Sequence, residues 1–391
     1  MKQIILVDGK NLVFRVHYVH STLSTKDGKP TSVLFGVLSS LLNMASRLPE
    51  AQWAFVWDGV GRTWRHELLE EVMSIEARDS KVFAPPNVNV TGDHRAEKTS
   101  GGWLENQMRT SVGFLGNPMP KKPIPQVRNY TKVQKPVGYK ANRERLHGSD
   151  DHQIALSQIL ELKRVLDRLG IRQFEVPNLE GDDLMGILVH QLKGEYDDVI
   201  IHSGDRDFYQ FLGNGVRQLK GIRDGELRWA SVDEIWNEFR VSVDDWIKLK
   251  ALIGDTSDNI PHLFDRVGQV TAAGWIAEGV DPSLEDFASH DQGVQRKYAN
   301  FVVRKVLVEL EARWSEVYRN YRLCKIITDP TAEEVKHCQP ELSKQVLGPW
   351  SSKESFKRKP APELFKWLTE WLVRYEMAEL YGRRDEFMRI P

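Results

Sequence analysis

Four short apolar runs punctuate the first part of the chain, and each leads into acidic residues. They are Ile4-Ile5-Leu6-Val7 before Asp8, Trp53-Ala54-Phe55-Val56-Trp57 before Asp58, Phe174-Glu175-Val176 before Glu180-Gly181-Asp182-Asp183, and Val199-Ile200-Ile201-His202-Ser203-Gly204 before Asp205 and Asp207. Runs of this length, bounded by turns, predict buried strands or short buried helices. Between them apolar residues recur at helical spacing. Val33, Leu34, Val37, Leu38, Leu41, Leu42 and Leu48 form one stripe, preceded by the turn Asp27-Gly28-Lys29-Pro30 and by Thr31 as its cap. Ile154, Leu156, Ile159, Leu160, Leu162, Val165, Leu166 and Leu169 form another, opened by Asp150 and Asp151 and stopped by Gly170. Strand, crossover helix, strand is one unit of a parallel sheet, so the expected fold class is α/β, with a mostly parallel central sheet and flanking helices.

The rhythm breaks between about residues 69 and 137, where Pro85-Pro86, Gly101-Gly102, Pro118, Pro120, Pro123, Pro125 and Pro136 accumulate. Poor periodicity there reads as an insertion rather than a further domain. Beyond residue 230 the pattern is helical, over Val243 to Ile253, Val294 to Val317 and Pro360 to Tyr381.

Composition narrows the class. With 391 residues, 41% of them hydrophobic and 28% charged, the chain is long enough for a sizeable core and a second lobe and reads as soluble and globular. Its apolar runs fall far short of the ~20 residues that span a bilayer, and the N-terminus reads as a strand rather than a signal peptide, so the expected location is cytoplasmic with no membrane contact. Cys324 and Cys338 give neither a disulfide framework nor zinc spacing. A net charge of −1 argues against indiscriminate coating of nucleic acid, yet Lys121, Lys122, Arg128, Lys132, Lys135, Lys140, Arg143 and Arg145 face only Glu144 between Lys121 and His147. The alternative for that stretch is a solvated loop.

In an open parallel sheet the ligand crevice lies at the carboxyl ends of the strands, where these acids would converge. Converging carboxylates repel, so either cations sit among them or some of their pKa values rise. Hard oxygen donors point to Mg²⁺ or Mn²⁺. Asp255-Thr-Ser-Asp258, after the helical stretch Trp246 to Ile253, adds a fifth group; an i, i+3 pair in a helical turn points both carboxylates one way. Taken singly, each group is an ordinary cap, turn or helix-start acid.

Together and in this order, the residues resemble the structure-specific 5′ nucleases, the family of the 5′–3′ exonuclease domain of bacterial DNA polymerase I and the phage flap endonucleases. The resemblance rests on Asp58-Gly-Val-Gly-Arg-Thr-Trp-Arg-His-Glu-Leu68, Gly138-Tyr139-Lys140-Ala141-Asn142-Arg143, Glu180-Gly-Asp182-Asp183, Ser203-Gly-Asp205-Arg-Asp207 and Gly254-Asp255-Thr-Ser-Asp258-Asn259-Ile260-Pro261. It implies a PIN-like core over 1–230, interrupted by the insertion and followed by an arch-like segment at 138–170. A helical lobe over 231–391 follows, with a helix-turn-helix that binds duplex and a closing C-terminal helix. It implies two divalent ions, Mg²⁺ or Mn²⁺, one held by Asp8, Asp58, Glu180, Asp182 and Asp205 and one by Asp207, Asp255 and Asp258, with Asp183 a further member acting through water or from behind the ligands. The expected substrate is DNA with a 5′ flap or 5′ end, or an RNA/DNA hybrid during primer removal, cut by a monomer to leave a 5′-phosphate.

Lys140 and Arg143, at i and i+3, present cations to the scissile phosphate, and Arg15, about two helical turns after Asp8, is a third catalytic candidate. Tyr139 is expected to stack on a terminal base. Lys121, Lys122 and Arg128 in the insertion, with Gly268 and Thr271 in the helix-turn-helix, complete the expected substrate contacts. Two departures stand out: roughly seventy residues separate the Leu68 segment from Tyr139, and the helix-turn-helix carries one glycine, Gly268, with Val270 where the family has Lys. A weaker grip on duplex follows, since a nest of amides needs glycine's backbone freedom. The stand-alone arrangement fits a phage replication setting.

Rival readings are a dinucleotide site, a binding protein and an RNA-directed nuclease. Gly59-Val-Gly61 follows a strand, but Trp64 takes the place of the third glycine. A nucleic-acid-binding protein of the same fold with weak catalysis is disfavoured by the acids at all eight expected ligand positions. No residue visibly reads a 2′-hydroxyl, which leaves DNA against RNA open.

Overall fold

The first apolar run forms β1 (Gln3–Asp8), and the sheet is built outward from it on both sides. A computed structural model describes residues 1–69, 150–265, 267–290, 310–346 and 361–390. In chain order the first elements are α1 (Gly9–His20), α2 (Ser32–Ala45), β2 (Gln52–Trp57), α3 (Asp150–Ser157), α4 (Ile159–Arg168), β3 (Arg172–Glu175), α5 (Gly181–Leu192) and β4 (Asp198–His202). A 3₁₀ turn (Arg206–Phe211), β5 (Val216–Arg223) and β6 (Glu226–Trp229) follow. The six strands run in the order β3-β2-β1-β4-β5-β6. All neighbours are parallel except β5 and β6. Successive strands leave β1 first on one side and then on the other, which puts the topological switch point between β1 and β4.

Both faces of the sheet are covered, which is why its strands read as unbroken apolar runs. Ile5 and Val7 of β1 join one core with Val33, Val37 and Leu41 of α2 and Val165 of α4. Ile4 and Leu6 face the other way, against Leu184, Ile187 and Leu188 of α5. Each such side chain, fully buried, contributes roughly 1.5–3 kcal/mol relative to exposure.

The expected helix over 150–169 is two helices, broken at Gln158. That side chain turns inward instead of continuing the stripe: its Oε1 accepts the Val33 amide at 3.0 Å and its Nε2 donates to Ser32 Oγ at 3.2 Å. It thereby satisfies an amide at the start of α2, the job expected of Thr31, whose side chain makes no capping bond. Residues 150–168, expected within an arch-like segment, instead bury Ala155, Leu162, Val165 and Leu166 in the core. The insertion at about 69–137 and residues 138–149 of the arch lie outside the described residues, save residue 69.

The hairpin β5–β6 was not anticipated. Its two-residue loop is Asp224-Gly225, with φ of 52° and 81°, a pair whose left-handed backbone matches the twist of the strands it joins.

Beyond β6 come α6 (Val232–Phe239), α7 (Trp246–Ile253), α8 (Gln269–Ala277), α9 (Trp314–Cys324), α10 (Gln339–Gln345), α11 (Ala361–Arg374), α12 (Ala378–Gly382) and α13 (Arg384–Phe387). Among the described residues they divide over three cores, where one lobe was expected over 231–391. Residues of α6 to α9 share a core of their own, with Ile235, Leu249, Leu252, Trp275 and Val317. Val335 and Leu342 join the α5 side of the sheet, and Leu364, Leu368, Trp371 and Phe387 the α2 side. The apolar stripes of the last helices are thus spent on the two sheet faces. Among the described residues no helix is long and apolar enough to cross a membrane.

Candidate metal centre

The acids at the strand ends are oriented by neighbouring backbone and hydroxyl groups. Asp8, the last residue of β1, accepts the Asn11 amide at 3.0 Å and Ser203 Oγ at 2.9 Å, so it caps α1 and ties β1 to the loop after β4. Ser203 Oγ also accepts the Asp205 amide at 3.1 Å, and Asp205 in turn caps the 3₁₀ turn by accepting the Asp207 amide at 3.0 Å. From β5, Gln218 donates to the carbonyls of Ser203 and Asp205 and fixes that loop from below.

After β2, Asp58 accepts the Gly181 amide and the Lys10 ammonium, both at 2.8 Å. A Cβ on Gly181 would lie 2.8 Å from Asp58 Oδ1, so this approach leaves no room for a side chain. It joins the end of β2 to the start of α5, where Glu180 accepts Thr63 Oγ1 at 3.1 Å and lies 3.5 Å from the Arg65 guanidinium. Asp182 sits half-buried in the first turn of α5. The glycines Gly59 and Gly61 serve the same junction: Gly59 donates to the Leu179 carbonyl at 2.9 Å, and Gly61, at φ 121°, lies where a Cβ would meet Asn178 Oδ1.

Mutual repulsion runs continuously through these groups. Burial pushes the Asp8 carboxyl up to about 6, with Asp58 and Asp205 adding to the shift. Burial likewise pushes Asp207 up to about 6; Lys250 opposes this, while Asp205 and Asp258 reinforce it. The carboxylates of Asp207, Asp255 and Asp258 can bring one oxygen each within 4.8 Å of one another. The expected helical turn at 255–258 is instead a loop closed by the Asp255–Ile260 bridge, which still brings the two acids together. An all-carboxylate donor set of this kind fits a hard divalent cation and no thiolate metal.

Asp183 departs from the expected ligand role. It is fully buried, and its two oxygens accept Arg65 Nη1 at 2.6 Å, Arg65 Nη2 at 2.9 Å, Trp64 Nε1 at 2.9 Å and the Ile327 amide at 2.9 Å. Four donors on one carboxylate make it an anchor for chain segments rather than an ion ligand.

Arg15 donates to the Lys220 carbonyl at 2.6 Å and lies 2.9 Å from His202 Nε2. Burial and the Arg15 charge hold His202 down at about 3, so its ring is neutral; Nε2 accepts from Arg15 while Nδ1 donates to the Leu219 carbonyl at 2.9 Å. Gly268, Val270 and Thr271 are all exposed at the first turn of α8. Lys140, Arg143, Tyr139, Lys121, Lys122 and Arg128 lie outside the described residues.

Two cations at the site escaped the sequence reading: Lys10, on Asp58, and Lys250, which reaches both Asp207 and Asp255. For Lys10 a signal existed, two residues past Asp8 at the opening of a helix. For Lys250 the sequence offered only the nearness of Asp255, five residues on, since its other partner Asp207 is 43 residues away.

The sequence matches the profile of the 5′-3′ exonuclease N-terminal resolvase-like domain over residues 3–73 and 127–240. It is 26% identical to the thermostable DNA polymerase I of Thermus filiformis over 328 residues, 84% of this chain and 29% of that one. It is 25% identical to DNA polymerase I of Pseudomonas aeruginosa over 327 residues, 83% of this chain and 27% of that one. The chain therefore spans less than a third of the length of these relatives. The T5 5′-exonuclease with bound zinc ions shares the fold, with a TM-score of 0.54 at 17% identity over 88% of this chain and 99% of that one. The chain is thus similar in sequence to the 5′-3′ exonuclease N-terminal domain and in fold to a 5′-exonuclease.

Proposed function

We propose that the chain is a divalent-metal-dependent 5′–3′ exonuclease and flap endonuclease, hydrolysing phosphodiester bonds of DNA near 5′ ends and at junctions of single strand with duplex. The observation that carries the reading is the unbroken run of repelling carboxylates from Asp58 through Asp8, Asp205 and Asp207 to Asp258. Asp8, Asp58, Glu180, Asp182 and Asp205 would hold one Mg²⁺ or Mn²⁺ ion, and Asp207, Asp255 and Asp258 a second. Bound there, such ions supply an activated water and offset the charge on the attacked phosphate.

The chain's own groups do the positioning. Ser203 and the Asn11 amide aim Asp8, while Gly181 and Lys10 aim Asp58. Arg15, fixed by neutral His202 and the Lys220 carbonyl, places a permanent positive charge close enough to feel Asp8. The exposed first turn of α8 offers backbone amides to duplex phosphates. Lys140 and Arg143 keep the transition-state role and Tyr139 the stacking role that the resemblance gives them. The protein acts as a monomer, and RNA-primer removal is a use this chemistry serves.

The test is cleavage of a 5′-labelled flap duplex beside a blunt duplex and a single strand, with Mg²⁺ and with EDTA. Metal-dependent cutting near the flap junction supports the reading. Binding without cleavage under Mg²⁺ and Mn²⁺ overturns it in favour of a binding protein of the same fold.

A further inference from the structure

One cation is already installed in the second acidic group. Lys250 Nζ pairs with Asp207 Oδ1 and lies 2.6 Å from Asp255 Oδ2. Its side chain is 8% exposed, and α7 holds it there: Trp246, Ile247, Leu249 and Leu252 of the same helix are packed in the helical core. The following turn presses Asp255 back onto it. Gly254 takes φ 75°, and a Cβ there would meet the Pro261 carbonyl oxygen at 2.7 Å, so the return of the chain depends on glycine.

Both oxygens of Asp255 are engaged. Oδ1 accepts the Ser257 amide at 2.7 Å and Ser257 Oγ at 2.5 Å, and Oδ2 faces Lys250. A divalent ion taking ligands from Asp207 and Asp255 would share these carboxylates with the ammonium. An ammonium and a divalent ion on shared carboxylates lie close together and repel, so each weakens binding of the other.

We propose that Lys250 is a built-in competitor for the second ion: its ammonium fills the cation position among Asp207, Asp255 and Asp258, and a divalent ion enters there by displacing it. The inference rests on the metal-dependent reading above. Its consequence is a second ion bound weakly in the absence of nucleic acid, beside a first ion bound by acids that Lys250 does not touch.

The experiment is calorimetric titration of the full chain with MnCl₂, without nucleic acid, for the wild type and for Lys250→Met, whose stem keeps its length and apolar packing. The expected result is a second binding event tightened by about tenfold or more in Lys250→Met, or one that becomes visible only there, with the first event unchanged. A second event no tighter in a folded Lys250→Met overturns the inference while leaving the metal-dependent reading intact. No divalent binding by the wild type at all overturns both. Should Lys250→Met fail to fold, ¹⁵N-lysine NMR of the wild type decides: the protected Lys250 ammonium signal, assigned by its loss in Lys250→Arg, should disappear as Mg²⁺ saturates the second event. Its persistence unchanged at saturation overturns the inference.

Discussion

Arg65 clasps Asp183 through two parallel hydrogen bonds of 2.6 and 2.9 Å, with both side chains almost wholly out of solvent. The same guanidinium donates to the carbonyls of Leu323 and Lys325, and the same carboxylate accepts the Ile327 amide. The pair therefore ties the segment after β2, the first turn of α5 and the chain leaving α9 into one joint. Removing one partner of a buried pair leaves the other charged and unsolvated, at a cost of about 3–5 kcal/mol. Asp183→Ala should lose about that much stability in denaturant unfolding carried out in EDTA. A variant of native stability that has lost an ion instead would return Asp183 to the ligand set.

Asp205 should behave in the opposite way. Its carboxylate bears on the site and caps the Asp207 amide, while its other bonds, to Ser203 and Gln218, are made by the backbone and survive a change of side chain. Asp205→Asn keeps an acceptor for that amide and removes the charge. Cleavage of a flap duplex should fall to background while the melting temperature in EDTA holds or rises. Full activity would refute its assignment.

Asp8 and Asp207 carry folded-state pKa values of about 6 against an ordinary 3.8. Between those values the folded, ion-free chain keeps protons that the unfolded chain has released, so these groups lose stability as pH rises through the window, and the loss is complete above about 6. Divalent ions bind the deprotonated acids and reverse the sign. The melting temperature of Asp8→Asn minus that of wild type, both in EDTA, should grow from pH 4.5 to pH 7. A difference that stays flat contradicts the raised Asp8 pKa.

The sheet and its acids were legible because each apolar run and the acid that follows it are neighbours in sequence, and strand order leaves little choice about where the ends meet. What was not legible is pairing over long separations. Lys250 looks like one more lysine in Trp246–Ile253 until Asp207 is set beside it. Asp183 and Asp182 are adjacent on one helix, yet one points at Arg65 and is sealed, by the remote partners Trp64, Arg65 and Ile327. The β5–β6 hairpin is a different case, for Asp224-Gly225 was a visible turn signal flanked by too few apolar residues to stand out. The stripes over 243–253 and 360–381 contain α7, α11 and the start of α12, whereas residues 294–309 of the stripe between them lie outside the described residues; a stripe does not say which sheet face will cover it.

Gln158 should matter more than its sequence suggests. Its Oε1 is the partner of the buried Val33 amide at the start of α2. Gln158→Ala leaves that donor unsatisfied, for which the cost is about 1–3 kcal/mol. Gln158→Glu retains the acceptor while losing the donor to Ser32, so in denaturant melts it should recover part of the loss. Equal stability of Gln158→Ala and wild type would show that another group caps α2.

Val270 stands in the first turn of α8, 78% exposed, beside Gly268 and Thr271, which are exposed as well. An apolar side chain at a helix start that offers amides to phosphate adds no charge where a phosphate would sit. Val270→Lys should therefore strengthen duplex binding at low salt and steepen the slope of log K against log salt by about 0.9, the signature of one added phosphate contact. The expected gain is in affinity alone, with turnover at saturating substrate unchanged, because α8 lies outside the carboxylate string. A steeper slope of that size would place duplex against the α8 N-terminus. An unchanged slope would move the duplex grip elsewhere and leave the exposed turn without a nucleic-acid role.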